Sequence, residues 1–131
     1  MLKATETATV INRTTENGPD VYHCHILRGV SWYTQNRYQP ETGGYKAAKL
    51  HKIRIPLSLL QGYVDPEEYR TATDKTGLWT LAQGDKIVLG EIEQITGAEF
   101  SALARTETVC VVNNVCKNLY GFNQHLFVEG G

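Results

Sequence analysis

Charge of a single sign and long apolar runs are both missing from these 131 residues. Thirteen Lys and Arg stand against fourteen Asp and Glu. A protein that lives by gripping phosphates carries a clear basic excess, so a dedicated nucleic-acid binder is not expected. No apolar run approaches the ~20 residues that a membrane-spanning helix needs. The opening Met1-Leu2-Lys3-Ala4-Thr5-Glu6 leads into threonines rather than an apolar segment, and no signal peptide is expected. Cysteine is sparse and odd in number: Cys24, Cys110 and Cys116. A secreted chain would pair them, so they read as reduced thiols in a reducing compartment, the cytosol. Cys110 and Cys116 lie too far apart for a C-x-x-C redox or zinc motif. No G-x-x-x-x-G-K-[ST] surrounds Gly84-Asp85-Lys86, which removes the phosphate loop.

What remains is the composition of one folded domain spanning residues 1–131, with 41% hydrophobic and 21% charged residues. The pattern is mainly β. Thr5 to Arg13, rich in Thr with Val10 and Ile11, suits a half-buried strand. Asn17-Gly18-Pro19-Asp20 then turns the chain. Val21 to Thr34 alternates, with Tyr22, Cys24, Ile26, Val30 and Trp32 on one parity and His23, His25 and Leu27 on the other. Gly29 interrupts it where a bulge or sharp bend fits. Residues 36–49 keep no sustained period, and Pro40 with Gly43-Gly44 predicts a mobile loop or loose hairpin tip. Leu50 to Leu57 alternates again and Pro56 ends that ladder or marks an edge.

Residues 58–77 form a second irregular stretch, in which Asp65 is placed to cap one helical turn starting at Pro66. Leu78 to Leu81 and Lys86 to Gly90 are expected as two strands joined in a hairpin by residues 82–85. Thr96-Gly97-Ala98-Glu99 is a capping box, opening a short helix with Phe100, Leu103 and Ala104 at helical spacing. Thr108 to Cys116 and His125 to Val128 return to strand. The architecture that fits is a small β-barrel with one short helix and long loops at 36–49 and 58–77.

Candidate chemistry is thin. His23-x-His25 puts two imidazoles on one strand face, but no third or fourth ligand follows at metal-binding spacing. Two polar residues on a solvent face is the plainer reading. Cys24 with His51 or His125 would make a nucleophile–base pair. Its parity with Ile26 and Trp32 argues instead for a buried, inert thiol. Asp65, Glu67 and Glu68 form an acidic cluster, read as a solvated loop rather than a docking site for a basic partner. Trp32 and Trp79 are core or interface anchors. No catalytic residue, metal or cofactor is expected, and the protein reads as a non-enzyme.

The order of elements resembles that of small neck proteins encoded by tailed phages and prophages of Gram-positive bacteria. An early Thr-Val-Ile strand precedes Val-Tyr-His-Cys-His-Ile-Leu-Arg-Gly-Val-Ser-Trp, similar to that group's "x-G-V-x-W" opening. The basic strand His51-Lys52-Ile53-Arg54-Ile55-Pro56 follows. Trp79 to Gly90 then looks like its "W-x-L-x-x-G-D-x-I-V-x-G" segment, and the 96–104 helix and closing strands keep the order. The resemblance implies an SH3-like barrel and a head-completion protein of the stopper or minor capsid type. It would form a homo-oligomeric ring of six or twelve subunits, between a portal or adaptor protein and the tail terminator or tail tube. Its expected location is the virion neck, after assembly in the host cytoplasm, with transient contact to packaged double-stranded DNA and none to membrane. The resemblance also implies that residues 36–49 act as the channel or gating loop, with Arg37, Tyr38, Gly43, Gly44, Tyr45, Lys46 and Lys49 as its candidate residues. Arg37, Lys46 and Lys49 against Glu41 make that segment mildly basic. The rivals are a tail terminator and, from another class, a small cellular β-barrel binding module.

Overall fold

The computed structural model describes residues 5–15, 18–41, 44–121 and 124–131, with 36–41, 44–48, 104 and 106 as backbone. Six strands run β1 Glu6–Thr15, β2 Asp20–Glu41, β3 Gly44–Pro56, β4 Lys86–Leu89, β5 Val109–Asn118 and β6 His125–Gly130. They close into an antiparallel barrel in the order β1-β2-β3-β6-β5-β4, with β4 bonded back to β1. A 3-10 turn, Leu57–Leu59, and helix α1, Pro66–Thr71, lie between β3 and β4. Helix α2, Gly97–Thr106, lies between β4 and β5 and opens on the expected capping box, with Thr96 accepting from the Glu99 amide.

Alternation along the strands explains where the core sits. Ala8, Val10, Leu27, Val30, Ile53, Ile55, Ile87, Val112, Leu126 and Val128 fill the barrel, with Trp79 and Leu81 added from the connection before β4. The alternate positions of β1 and β4, Ile11 and Val88, face outward and are covered by Phe100 and Leu103 of α2. β1 is therefore buried on both faces, which is why Ala8 to Asn12 reads as a continuous buried run.

The bend in β2 is a bulge. Arg28 pairs with Thr7 and Val30 pairs with Glu6, so Gly29 is left over at φ 108°. One extra residue reverses the strand's parity. His25 and Leu27 face inward before the bulge, Val30 and Trp32 after it. Val30 and Trp32 therefore leave the face of Tyr22, Cys24 and Ile26 that unbroken alternation assigns to them. That face instead packs under α2, where Tyr22 meets Phe100 at 4.6 Å between centroids.

The stretch 36–49, expected as a mobile loop or loose hairpin tip, is a hairpin whose described residues continue β2 and β3 as paired strands rather than as an irregular loop. Leu78 to Leu81 is not a strand: it makes one parallel bridge, Tyr63 to Trp79, and does not pair with β4. The bulk of Trp79 decides this. Its indole donates to the Gln61 carbonyl at 3.1 Å and its ring is wholly buried, so the segment plugs the barrel end rather than extending its wall. Residues 82–85 do turn, but into a strand whose partners are β1 and β5. Helix α1 starts at Pro66 as expected, although the Asp65 side chain does not cap it and pairs with Lys117.

The seam between β5 and β6 has no room for a side chain at Gly130. A Cβ there would lie 1.9 Å from the Val111 carbonyl oxygen and 2.8 Å from the Cys110 sulfur. Gly130→Ala is expected to destabilise the barrel by about 2–3 kcal/mol, as overpacking a closed wall does. Urea denaturation checks this; an unchanged midpoint overturns it.

Candidate functional site

The segment that leaves the barrel is the candidate site. β2 pairs with β1 only up to Val30, and β3 pairs with β6 only from His51 onward. Beyond those points the two strands pair with each other alone, through seven register pairs from Gln35↔Leu50 to Glu41↔Gly44. At ~3.3 Å per residue the ribbon reaches roughly 20 Å past the barrel. The apparent lack of period in its sequence has a simple source. Directly opposed residues share a face, and the apolar positions are split between the two strands.

Register sorts the ribbon into two faces. Asn36/Lys49, Tyr38/Ala47 and Pro40/Tyr45 continue the inward side that begins with Trp32/Ile53 and Thr34/His51. Arg37/Ala48, Gln39/Lys46 and Glu41/Gly44 make the opposite face. Of the expected gating residues, Tyr38, Tyr45 and Lys49 thus share one face, and Arg37, Gly44 and Lys46 the other. Gly43 lies outside the described residues.

At the ribbon's root, the wall changes from dry to wet through His51, only 4% exposed. Its Nδ1 lies 3.3 Å from the Trp32 indole nitrogen and 2.9 Å from the Thr34 hydroxyl. An indole N–H only donates, so Nδ1 is an unprotonated acceptor and the ring's proton sits on Nε2. The Thr34 hydroxyl also accepts from that indole at 3.2 Å, which locks the three side chains together. Burial lowers the pKa of His51, and the charge of Lys49 lowers it further. Beside the imidazole is a recess of about 270 Å³ lined by Lys49, Lys86, Glu107 and Val111 among others. The Lys86 ammonium is held by the Phe100 carbonyl at 2.7 Å and sits 4.3 Å over the Phe100 ring. This root fixes the ribbon's direction.

A second polar cluster lies on the connection before β4. Asp85 is buried and accepts from the Asn12 amide at 2.8 Å and the Ala82 backbone N–H at 3.1 Å. Burial pushes its carboxyl above the usual range, opposed by those bonds and the Arg13 backbone N–H. Asn12 also donates to the Thr80 carbonyl at 2.7 Å and accepts from its N–H at 3.1 Å. A recess of about 440 Å³ opens above it, between the end of β1 and α1. The Asn12 amide is spent on holding residues 80–85 to β1, so the cluster acts as a latch.

The remaining sequence candidates do not assemble into a site. His25 stacks on the buried Trp79 ring at 5.1 Å and His23 meets Tyr69 edge-on, so both belong to the inward face rather than to solvent. Among the described residues, no three His, Cys, Asp or Glu side chains gather as a metal site. Cys24 pairs with Ile11 and His51 with Thr34, about 30 Å apart along β2 at ~3.3 Å per residue. Cys24 is half-buried under α2, which raises its thiol pKa. Glu67 bonds Arg70 within α1, and Asp65 bonds Lys117. Asn12 was not singled out from sequence, His51 was weighed only as a base for Cys24, and Asp85 only within Gly84-Asp85-Lys86. His51 shares parity with Ile53 and Ile55, and Asn12 with Ala8 and Val10, so a polar residue in an apolar register was the available signal.

His51 sets an expected pH dependence. Its folded-state pKa lies below the ordinary ~6.5, so its contribution is full above that pH and lost as pH falls through the lowered value. Protonation would aim an Nδ1–H at the Trp32 N–H, and the ribbon's root should loosen in acid. The Trp32 indole N–H resonance is expected to shift and broaden as the pH falls below the ordinary imidazole range in the wild type and to stay constant in His51→Phe. A wild-type signal without pH dependence overturns this.

No curated protein and no solved structure matches the chain. A family profile does, described as a family of unknown function (DUF6751), and its match runs over residues 3–131. With nearly the whole sequence inside that match, the chain belongs to the DUF6751 family.

Proposed function

We propose that this protein is a non-enzymatic, ring-forming component of a phage neck, a head–tail connector of the stopper type. Its ring would sit beneath the portal or its adaptor, retain packaged double-stranded DNA and present the platform to which the tail attaches. The observation that carries this reading is the two-stranded ribbon projecting from a closed barrel, with Arg37 and Lys46 on one of its faces. The order of sequence motifs described above supports it independently.

The physical logic is that of a reversible stop. A closed barrel gives a rigid body, and a ribbon anchored at its root by buried side chains holds a defined direction into a channel. Each ribbon brings few cations, worth at most ~1 kcal/mol apiece at an exposed, hydrated phosphate. Copies arranged in a ring multiply that contact, while no single subunit grips DNA tightly enough to block its release. A barrel with near-balanced charge fits that demand better than a basic one.

The test is deletion of the gene in the producing phage or lysogen, followed by electron microscopy of the lysate. Free tails beside heads that have lost their DNA are expected. Filled heads with unattached tails of uncontrolled length would reassign the protein as a tail terminator. Normal infectious virions would overturn the neck reading and favour a cellular binding module. In a complemented phage, Arg37→Glu with Lys46→Glu is expected to leave rings assembled but heads leaking DNA, scored as a lower fraction of filled heads. Unaltered filling would remove those two residues from the contact.

A further inference from the structure

β6 stops before its two neighbours do. Gly130 is its last residue, paired with His51 of β3 on one side and with Val112 of β5 on the other. Past that point β3 runs on through Lys49 and β5 reaches back to Val109, so the barrel wall has a notch between them. The recess of about 270 Å³ beside the imidazole lies in this notch, and its walls include Lys49, His51, Lys86, Glu107, Thr108 and Gly131.

His51 brings a donor to that recess. Its Nδ1 is taken up by Trp32 and Thr34, so the proton sits on Nε2 at the opposite edge of a ring that is almost wholly buried. Among the described residues no acceptor meets this N–H, and the ring forms part of the recess wall. A buried donor left without an acceptor is costly, so one that opens on a recess points to something that accepts there. Water would satisfy the N–H alone, but two ammonium groups beside it favour negative charge. Lys86 spends one of its three donors on the Phe100 carbonyl at 2.7 Å. Burial lowers its pKa and the charge of Arg13 lowers it further, the mark of an ammonium short of an acidic partner. The Lys49 charge reaches the imidazole, whose pKa it lowers in addition to burial. Glu107 stands on the same walls, yet among the described residues it makes no ion pair with either lysine.

We infer that this notch binds a phosphate group, held by the His51 Nε2–H, the Lys49 and Lys86 ammonium groups and the Thr108 hydroxyl. The donors come from separate segments: β3 supplies Lys49 and His51, β4 supplies Lys86, and Thr108 directly precedes β5. A tetrahedral oxyanion offers an acceptor oxygen to each of them, whereas a planar carboxylate has only two oxygens to share. Bonds of this charge-assisted kind are stronger than neutral ones, which offsets the single opposing charge of Glu107. A bound phosphate would bridge β3 to β5 where β6 no longer joins them, and would fix the root of the ribbon from a second side. The same chemistry is available from free inorganic phosphate and from the backbone of DNA. The site is argued from the notch itself and stands independently of the neck reading.

The test is a titration of the full, nitrogen-labelled chain with sodium phosphate at neutral pH, against sodium chloride at matched ionic strength. Phosphate is expected to shift the His51 Nε2 resonance and the Trp32 indole N–H saturably, with half-saturation at about 1 mM. Lys49→Met and Lys86→Met should each weaken binding by about tenfold. Lys117→Met, which removes a cation bonded to Asp65 near the other end of β6, should leave it unchanged. Thermal melting of each variant checks that the barrel is intact. Lys49 is exposed, so its variant decides the matter even where Lys86→Met, having lost its hold on Phe100, melts early. A drift that never saturates, an equal response to chloride, or saturation indifferent to Lys49→Met overturns the inference. A short DNA duplex then separates the two sources, and either result supports the site. The same shifts, with phosphate displaced, assign it to a nucleic-acid backbone. A duplex that leaves both resonances unmoved assigns it to free phosphate.

Discussion

β2 must serve as a barrel wall for its first half and as a free-standing ribbon for its second, and the rest of the molecule depends on that constraint. Strand alternation makes a single face of a strand continuous, so whatever is inward at the barrel would remain inward along the ribbon. The Gly29 bulge resets that rule once. Before it, the outward residues Tyr22 and Cys24 are used by the cluster under α2. After it, Val30 and Trp32 enter the barrel, and the line they start carries on to Tyr38 and Pro40. A side chain at φ 108° would be strained, so the reset depends on glycine. The inward placement of Val30 and Trp32, and the register of the ribbon beyond them, follow from one unpaired residue.

The transition from wall to ribbon falls where water would otherwise reach the lumen. Trp32, Thr34 and His51 meet that boundary with three hydrogen-bonded side chains rather than with an aliphatic plug. An aliphatic plug would bury area, but it would not fix the angle of the two strands. A neutral imidazole accepting from an indole sets both the tautomer and the ring plane, and through them the direction in which β3 leaves the barrel. The latch of Asn12, Thr80 and Asp85 does the same for residues 80–85. Each cluster buries polar atoms at a cost that its own bonds offset, and each fixes the course of a segment that apolar packing alone leaves loose.

Most of the barrel was legible in the sequence because alternation and capping are local signals. β1, the first half of β2, the β3 stretch through Ile53 and Ile55, β5, β6 and the α2 capping box all fall where residue pattern places them. The failures share a cause: each depends on a partner distant in sequence. Residues 36–49 look patternless along one strand and become two ordered faces only when Tyr38 is set opposite Ala47. Leu78 to Leu81 has strand composition, yet Trp79 finds Gln61 and Tyr63 instead of a ladder. The parity of Val30 and Trp32 was misread because a Gly marks a bulge without saying whether alternation reverses beyond it. Of the candidate site, the segment 36–49 was singled out by the resemblance alone, and His51 was named only as a base for Cys24, since its bonds to Trp32 and Thr34 depend on strand pairing.

The two faces of the ribbon also place a limit on how the proposed ring can work. Register puts Lys49 on the face of the tyrosines and Arg37 with Lys46 on the other, so each face of a ribbon carries at most two cations, screened within ~8 Å at physiological salt. In the proposed ring, the Arg37/Lys46 face is the one that would meet DNA. The basic face gains energy only when phosphates arrive, and its few charges are screened and reversible. A retention element built this way holds DNA by the number of its copies rather than by the affinity of any one. Its strength should therefore be tuned by substitutions on the Arg37/Lys46 face without disturbing the contacts that build the ring.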